Sequence, residues 1–292
     1  VRLAFLGTPE VAAVTLRAVV GAGHDVRVVV TRPAARRGRG AQVSPSPVQQ
    51  AAAELGLPVA HSAGEVVGSG AELGVVVAYG RIIKPEVLAK LAMVNVHFSL
   101  LPLWRGAAPV ERAILSGDRE TGVCLMRLDE GLDTGAVFSR RELPIGPDET
   151  ADELRQRLGD AGNELLLEGL AAGLPNPTPQ EGTPTYAPKI SPNDLRLDFS
   201  SPAELCYRVV RVGRAWTTWR GKRLIVHSAR VAGPGLVAEA GALSPGQLRG
   251  NIVGTGDGAL ELRMVQAEGR SLVNAIEWAR GARPGPGERL GT

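Results

Sequence analysis

The sequence predicts an α/β chain: a doubly wound, mostly parallel sheet followed by a small C-terminal β-barrel. Three observations carry that expectation. Strand-like apolar runs alternate with helix-like segments through the N-terminal third, the order that builds a parallel sheet with helices on both faces. The run Val28-Val29-Val30 is too apolar for a sheet with one wet face. Beyond Ser200, short apolar runs recur between Gly-rich turns, the pattern of a small barrel.

Taken in order, Val1–Leu6 reads as a strand. Thr8-Pro9 reads as a helix start with Pro at the first helical position, and Val11–Val20 as the helix, which stops at Gly21-Ala22-Gly23. Val26–Val30 follows as a buried strand, then a Gly/Arg/Pro-rich loop and a helix from Pro47 to Leu55. Strands are expected at Pro58–Ala60, Val75–Tyr79 and Val94–Phe98, with a helix near Pro85–Leu91. A helix at Pro109–Leu115 and two antiparallel strands, Gly122–Leu128 and Ala136–Leu143, come next. A long helix then opens at Thr150, where Glu153 completes a capping box, and carries Leu154, Leu158, Leu165 and Leu166 on one side. The Pro-rich stretch Gly173–Pro179 cannot be helix or central strand, so the expected domains are 1–174 and 191–292, joined by a linker at 175–190. In the second domain Ser201-Pro202-Ala203-Glu204 reads as a capping box opening a short helix. Strands are expected at Leu224–Val226, Leu236–Ala238, Gly250–Val253 and Leu260–Val265.

Composition narrows the classes. The 292 residues are 44% hydrophobic and 22% charged, ordinary for a chain with a real core and long enough for two domains. No apolar run reaches membrane-spanning length, and the N-terminus reads as a strand rather than a signal peptide, so a cytoplasmic protein without a membrane partner is expected. Two cysteines, Cys124 and Cys206, are too few for a disulfide scaffold or a Cys-based zinc site. Charge is unevenly spread: residues 1–46 carry seven basic and two acidic residues, 47–185 carry 11 and 19, and 186–292 carry 15 and nine. Basic ends around an acidic middle suit either scattered solvated charge or an extended polyanion touching both ends.

Four segments could carry chemistry. Gly254-Thr255-Gly256-Asp257-Gly258-Ala259 partly matches a dinucleotide loop, but the alternating Leu260–Val265 after it is a strand pattern, which makes a hairpin turn of it. Asn95 and His97 alternate onto one side of a strand at its C-terminal end, where doubly wound sheets bind ligands. An amide beside an imidazole suits a developing oxyanion, and His97 alone also suits a structural role. Asp129-Glu130-Gly131-Leu132-Asp133-Thr134-Gly135 is either a plain turn or the source of an Asp133 carboxylate that sets the charge state of His97 and accepts a proton. Thr31–Gly40 holds Arg32, Arg36, Arg37 and Arg39 without an acid, a composition that suits a surface loop or phosphates.

The string Asn95-x-His97-x-Ser99-Leu100-Leu101-Pro102-x-x-Arg105-Gly106-x-x-Pro109, with Thr121-Gly122-Val123 and Gly131-Leu132-Asp133-Thr134-Gly135, resembles the 10-formyltetrahydrofolate-dependent formyltransferases. Within that family the chain is most similar to the methionyl-tRNA formyltransferases, through Phe5–Pro9, Val77–Gly80 and Thr185–Ile190 as well. The resemblance implies a Rossmann-like N-terminal domain and an OB-like C-terminal barrel. It implies a catalytic trio of Asn95, His97 and Asp133, with Asp133 holding His97 protonated. Ser99, Leu100, Leu101 and Pro102, with Tyr79 and Gly80, would surround the folate. The donor would be 10-formyltetrahydrofolate and the acceptor initiator methionyl-tRNA, giving formylmethionyl-tRNA for translation initiation, with no metal and a monomeric enzyme. The basic loop would reach the tRNA through Arg36, Arg37 and above all Arg39. Six bases without an acid lie between Arg208 and Arg223; Arg208 and Arg211 share a helix face and suit a solvated surface or a phosphate track. A relative that formylates a small amine, such as a sugar nucleotide or glycinamide ribonucleotide, is the alternative.

Overall fold

A computed structural model describes residues 1–36, 43–240, 242–285 and 287–292. The chain divides into two units, one of Val1–Val110, Arg119–Ile145 and Glu153–Pro188, the other of Glu111–Asp118, Gly146–Asp152 and Lys189–Thr292.

The chain begins with β1 (Arg2–Gly7), α1 (Glu10–Gly21) and β2 (Asp25–Val30), then the two-residue strands β3 (Ala35–Arg36) and β4 (Val43–Ser44). Then come α2 (Pro47–Glu54), β5 (Val59–Ala60), β6 (Leu73–Val77), α3 (Pro85–Leu88) and β7 (Met93–His97). After β8 (Arg105–Gly106) and α4 (Pro109–Ser116) come β9 (Glu120–Arg127), β10 (Val137–Pro144), α5 (Ala151–Ala171) and β11 (Tyr186–Ala187). The main sheet runs β10-β9-β7-β6-β1-β2-β5. Its strands from β5 to β7 pair in parallel, and β9 and β10 add an antiparallel edge. Leu3, Ala4, Phe5 and Leu6 are all fully buried, as a sheet covered on both faces requires. Leu154, Leu158, Leu165 and Leu166 of α5 are likewise buried.

Local chemistry shifts several boundaries. Pro9, extended at ψ 178, is itself the N-cap of α1, and Thr8 Oγ1 donates to the Tyr79 carbonyl instead of capping. Ser46 caps α2 by accepting from the Gln49 amide at 3.0 Å. Strand β6 stops at Val77, two residues short of the expected Tyr79, because Ala78 (φ 45) and Gly80 (φ 69) take the left-handed conformation and lead the chain out of the sheet.

The second unit carries α6 (Ala203–Val212), β12 (Ala215–Trp219), β13 (Lys222–Val231), α7 (Pro234–Ala240), β14 (Leu248–Arg249), β15 (Ile252–Gly254), β16 (Ala259–Ala267), β17 (Val273–Asn274) and α8 (Ala275–Ala282). Its antiparallel sheet runs β12-β13-β16-β15-β14, with β17 also on β16. Leu224, Val226, Leu260, Leu262 and Val265 alternate into its core with Trp219. Residues 255–258 form the β15–β16 turn, so the glycine-rich loop is a hairpin as expected. The expected strand at Leu236–Ala238 is part of helix α7: a three-residue apolar run has no period of its own, and Pro234 opens a helix. Pro202 is the N-cap of α6 rather than its first helical residue, without a side-chain cap. Among the described residues no helix is long and apolar enough to cross a membrane.

Candidate active site

Strands β6 and β7 lie side by side in the parallel sheet, and their C-terminal ends open into a cavity of about 530 Å³. Asn95 and His97, two apart on β7, both line it, as does Asp133 from the turn between β9 and β10. Tyr79 and Gly80 line it too, brought there by the left-handed turn after β6. Ile83 and Phe98 supply apolar wall, and Ile82, 92% exposed, stands at the same turn. The volume falls within the range of small-molecule sites, roughly 300–1,000 Å³.

His97 is 5% exposed and held from two sides. Its Nε2–H donates to the Trp104 carbonyl at 3.1 Å, and its Nδ1 lies 3.7 Å from Asp133 Oδ2. The carbonyl can only accept, so the neutral imidazole carries its proton on Nε2 and turns a lone pair toward Asp133. Burial pushes the His97 imidazole below its ordinary value; Asp133 and the Trp104 carbonyl act the other way and do not win. Desolvation thus works against the expected resting imidazolium, and the carboxylate at 3.7 Å works for it. Cys124 pairs with His97 across β7 and β9, but burial pushes its thiol up to about 11, which leaves no thiolate to attack.

Asp133 sits in left-handed backbone, φ 50, and its Oδ2 accepts from the Gly106 amide at 2.8 Å. Two glycines permit the approach. A Cβ on Gly106, at φ 125, would stand 2.7 Å from the Ala187 carbonyl oxygen, and a Cβ on Gly135 would collide with the Arg127 carbonyl.

The 99–102 segment, expected around the folate, is not in this cavity. Ser99 is fully buried, with its hydroxyl donating to the Leu103 carbonyl at 2.5 Å, and Leu100, Leu101 and Pro102 line a second cavity of about 530 Å³. The chain leaves this cavity after Phe98 and returns to it at Gly106. Two other expectations change for a similar reason. Arg211 is 7% exposed and donates to the carbonyls of Glu149 (2.8 Å) and Gly146 (2.9 Å), which removes it from any phosphate track. Arg208 donates to the Ser116 carbonyl at 3.1 Å and pairs with Glu204 at 3.7 Å. Arg36 belongs to β3; Arg37 and Arg39 lie outside the described residues. Gln180, which no motif singled out, and Thr185, which opens the Thr185–Ile190 match but was given no role, both reach the loops around this cavity.

The formyl transferase family matches residues 1–170, and the formyl transferase C-terminal domain matches residues 189–283. The chain is 43% identical over 316 residues to methionyl-tRNA formyltransferase of Heliobacterium modesticaldum, covering 99% of this chain and 100% of that one. It is also 43% identical over 323 residues to the enzyme of that name from Acidothermus cellulolyticus, covering 99% of each. Among solved structures, methionyl-tRNA formyltransferase from Clostridium thermocellum superposes with a TM-score of 0.59 at 16% identity, covering 94% of this chain and 99% of that one. HypX from Aquifex aeolicus in complex with tetrahydrofolic acid gives a TM-score of 0.66 at 18% identity, covering 97% of this chain and 48% of that one. Both solved structures share the fold, and the full-length relatives carry the sequence: the chain belongs to the formyl transferase family, in the branch of the methionyl-tRNA formyltransferases.

Proposed function

We propose that this chain transfers the formyl group of 10-formyltetrahydrofolate to the α-amine of methionine esterified to initiator tRNA, with Asn95, His97 and Asp133 as the reacting side chains. The observation that carries the reading is the convergence of those three groups on one cavity. Its apolar wall suits a flat heterocycle, and Tyr79 and Gly80 stand where the folate would enter.

The neutral α-amine attacks the formyl carbon, and the carbonyl oxygen becomes an oxyanion. Model α-amines titrate near a pKa of roughly 8, so a useful fraction is neutral at pH 7. The Asn95 amide donates to that oxyanion. The attacking nitrogen must lose one proton and N10 of the folate must gain one as the C–N10 bond breaks. The His97–Asp133 pair carries it: the Nδ1 lone pair takes the proton, the carboxylate 3.7 Å away stabilises the imidazolium, and the proton passes on to N10. A low resting proton affinity helps here, because the imidazolium forms only while the oxyanion is present.

For the tRNA, the exposed bases of the second unit include Arg214, Lys222 and Arg223, with Arg223 stacked 4.6 Å from the Trp216 ring. They replace Arg208 and Arg211 in the phosphate role, alongside Arg36, Arg37 and Arg39 of the loop. The test is to supply 10-formyltetrahydrofolate with either methionyl initiator tRNA or a panel of small amines and follow formyl incorporation. Formylation of the aminoacyl-tRNA alone supports the reading, and transfer to a small amine alone overturns the choice of acceptor.

A further inference from the structure

We infer that the segment 180–187 is a positioning strap that sets the geometry of both His97 and Asp133, with Gln180 and Thr185 as its positioning residues. The inference rests on the reading of Asn95, His97 and Asp133 as the reacting groups. It adds two residues that touch neither the cavity nor a reacting atom.

Gln180 is fully engaged. Its Nε2 donates to the carbonyls of Asp133 and Gly135, both at 2.8 Å, and its Oε1 accepts from Arg105 Nε (3.0 Å) and Nη2 (2.6 Å). Two carbonyls on one side and a guanidinium on the other fix the amide in one orientation. The side chain therefore clamps the turn that holds Asp133 in its left-handed conformation to the residue beside Gly106, whose amide holds the Asp133 carboxylate.

Thr185 does the equivalent for His97. Trp104, itself left-handed at φ 57, donates its amide to Thr185 Oγ1 at 2.8 Å, and its carbonyl accepts from His97 Nε2. The Arg105 amide donates to the Thr185 carbonyl at 2.9 Å, and β11 then pairs in parallel with β8, matching Tyr186 with Arg105 and Ala187 with Gly106. The Ala107 amide continues the ladder to the Ala187 carbonyl at 2.9 Å. Three routes thus lead from one segment to the reacting pair: through Trp104 to Nε2 of His97, through Gly106 to the Asp133 carboxylate, and through Gln180 to the Asp133 backbone. The bonds that the segment itself makes span 45 to 81 residues of sequence.

Gln180→Glu keeps the length of the side chain and its acceptance from Arg105 but turns both donors into an oxygen facing two carbonyls. Gln180→Met keeps length alone. Thr185→Val removes the acceptor for the Trp104 amide, and Thr185→Ser restores it. The experiment measures kcat and KM for the folate donor on the full chain, and in parallel the imidazole nitrogen shifts of His97 in the free protein. Misplacing reacting groups by about 1 Å costs up to roughly 10²-fold. The expected result is a kcat lowered by about ten- to 10²-fold in Gln180→Glu, Gln180→Met and Thr185→Val, with KM for the donor close to that of the unsubstituted chain. The His97 shifts move in the same three variants, and Thr185→Ser restores both readouts. Near-normal kcat and unmoved His97 shifts in Gln180→Met and Thr185→Val overturn the inference. A fall confined to thermal stability overturns it too. If the unsubstituted chain formylates nothing, the functional reading fails, and the His97 shifts still decide on the strap.

Discussion

The Asp133 carboxylate takes its short hydrogen bond from the Gly106 amide, at 2.8 Å, and stands 3.7 Å from His97 Nδ1. A backbone group therefore fixes the carboxylate, and its charge acts on His97 across a gap in the resting site. The first prediction follows. Asp133→Asn keeps an oxygen for the Gly106 amide and tolerates φ 50, so it removes charge with little else. Formylation by Asp133→Asn, His97→Ala and Asn95→Ala falls by about 10²–10³ in kcat. Thermal unfolding of Asp133→Asn stays near that of the unsubstituted chain.

Burial pushes the His97 imidazole below its ordinary value, although the Asp133 carboxylate faces it from the β9–β10 turn and the Trp104 carbonyl from the loop before β8. A titration of imidazole resonances should show His97 protonating below the ordinary imidazole range as pH falls. Stability carries the same sign. Unfolded imidazole titrates near a pKa of about 6.5, so below that pH the unfolded chain binds a proton that the folded chain refuses. Stability therefore declines as pH drops from about 6.5 toward the depressed folded value, and His97→Asn flattens that slope.

A second titration effect belongs to Asp194. Hydrogen bonds from Arg112, and then from Ser191, hold its carboxyl at about 2. The depressed folded value means that its contribution is complete above the unfolded pKa of about 3.9 and is lost as pH falls through about 2. Asp194→Asn should remove that part of the acid limb. With 26% of the side chain exposed, the loss at neutral pH is expected near 1 kcal/mol, measured by urea unfolding at pH 7 and pH 2.

The bases of the second unit should separate into two classes. Arg211 holds two backbone carbonyls, so Arg211→Ala costs about 2 kcal/mol of stability and leaves the salt dependence of tRNA binding intact. Lys222→Ala does the reverse: melting is unchanged, and the slope of log affinity against log salt falls by about one. Arg39→Ala in the basic loop should act like Lys222→Ala, with folate binding unaffected. A slope that is the same in all three variants would remove the phosphate contacts from the proposal.

The parallel sheet was legible because burial on both faces leaves continuous apolar strands such as Leu3–Leu6 and Val28–Val30. Placing Asn95 and His97 together needed only the two-residue period of β7 and the rule that ligands sit at strand ends. Asp133 is different: its spacing from His97 carries no geometry, so the pairing stood level with a plain turn until the resemblance chose between them. Gln180 and Thr185 were illegible because their partners lie 47 and 81 residues away and their residue types are common in linkers. Arg211 misled because its helix face shows where a side chain points, while the carbonyls of Gly146 and Glu149 that capture it come from another segment. Ser99–Pro102 follows the site in sequence, but Leu100, Leu101 and Pro102 line the second cavity, a placement that a motif's spacing does not carry.

Ala78 and Asp133, which line one cavity, and Trp104, whose carbonyl accepts from His97, hold a backbone conformation that costs an L-residue roughly 1–2 kcal/mol. That makes the rim a place where heat resistance and turnover select in opposite directions. Ala78→Gly or Asp133→Gly relaxes the backbone, and selection for melting temperature alone would favour such changes. A library sorted only for thermal survival would then enrich substitutions here as it would at Leu174, Arg214, Arg220 and Arg283, and at Asp133 the survivors would be folded and inert.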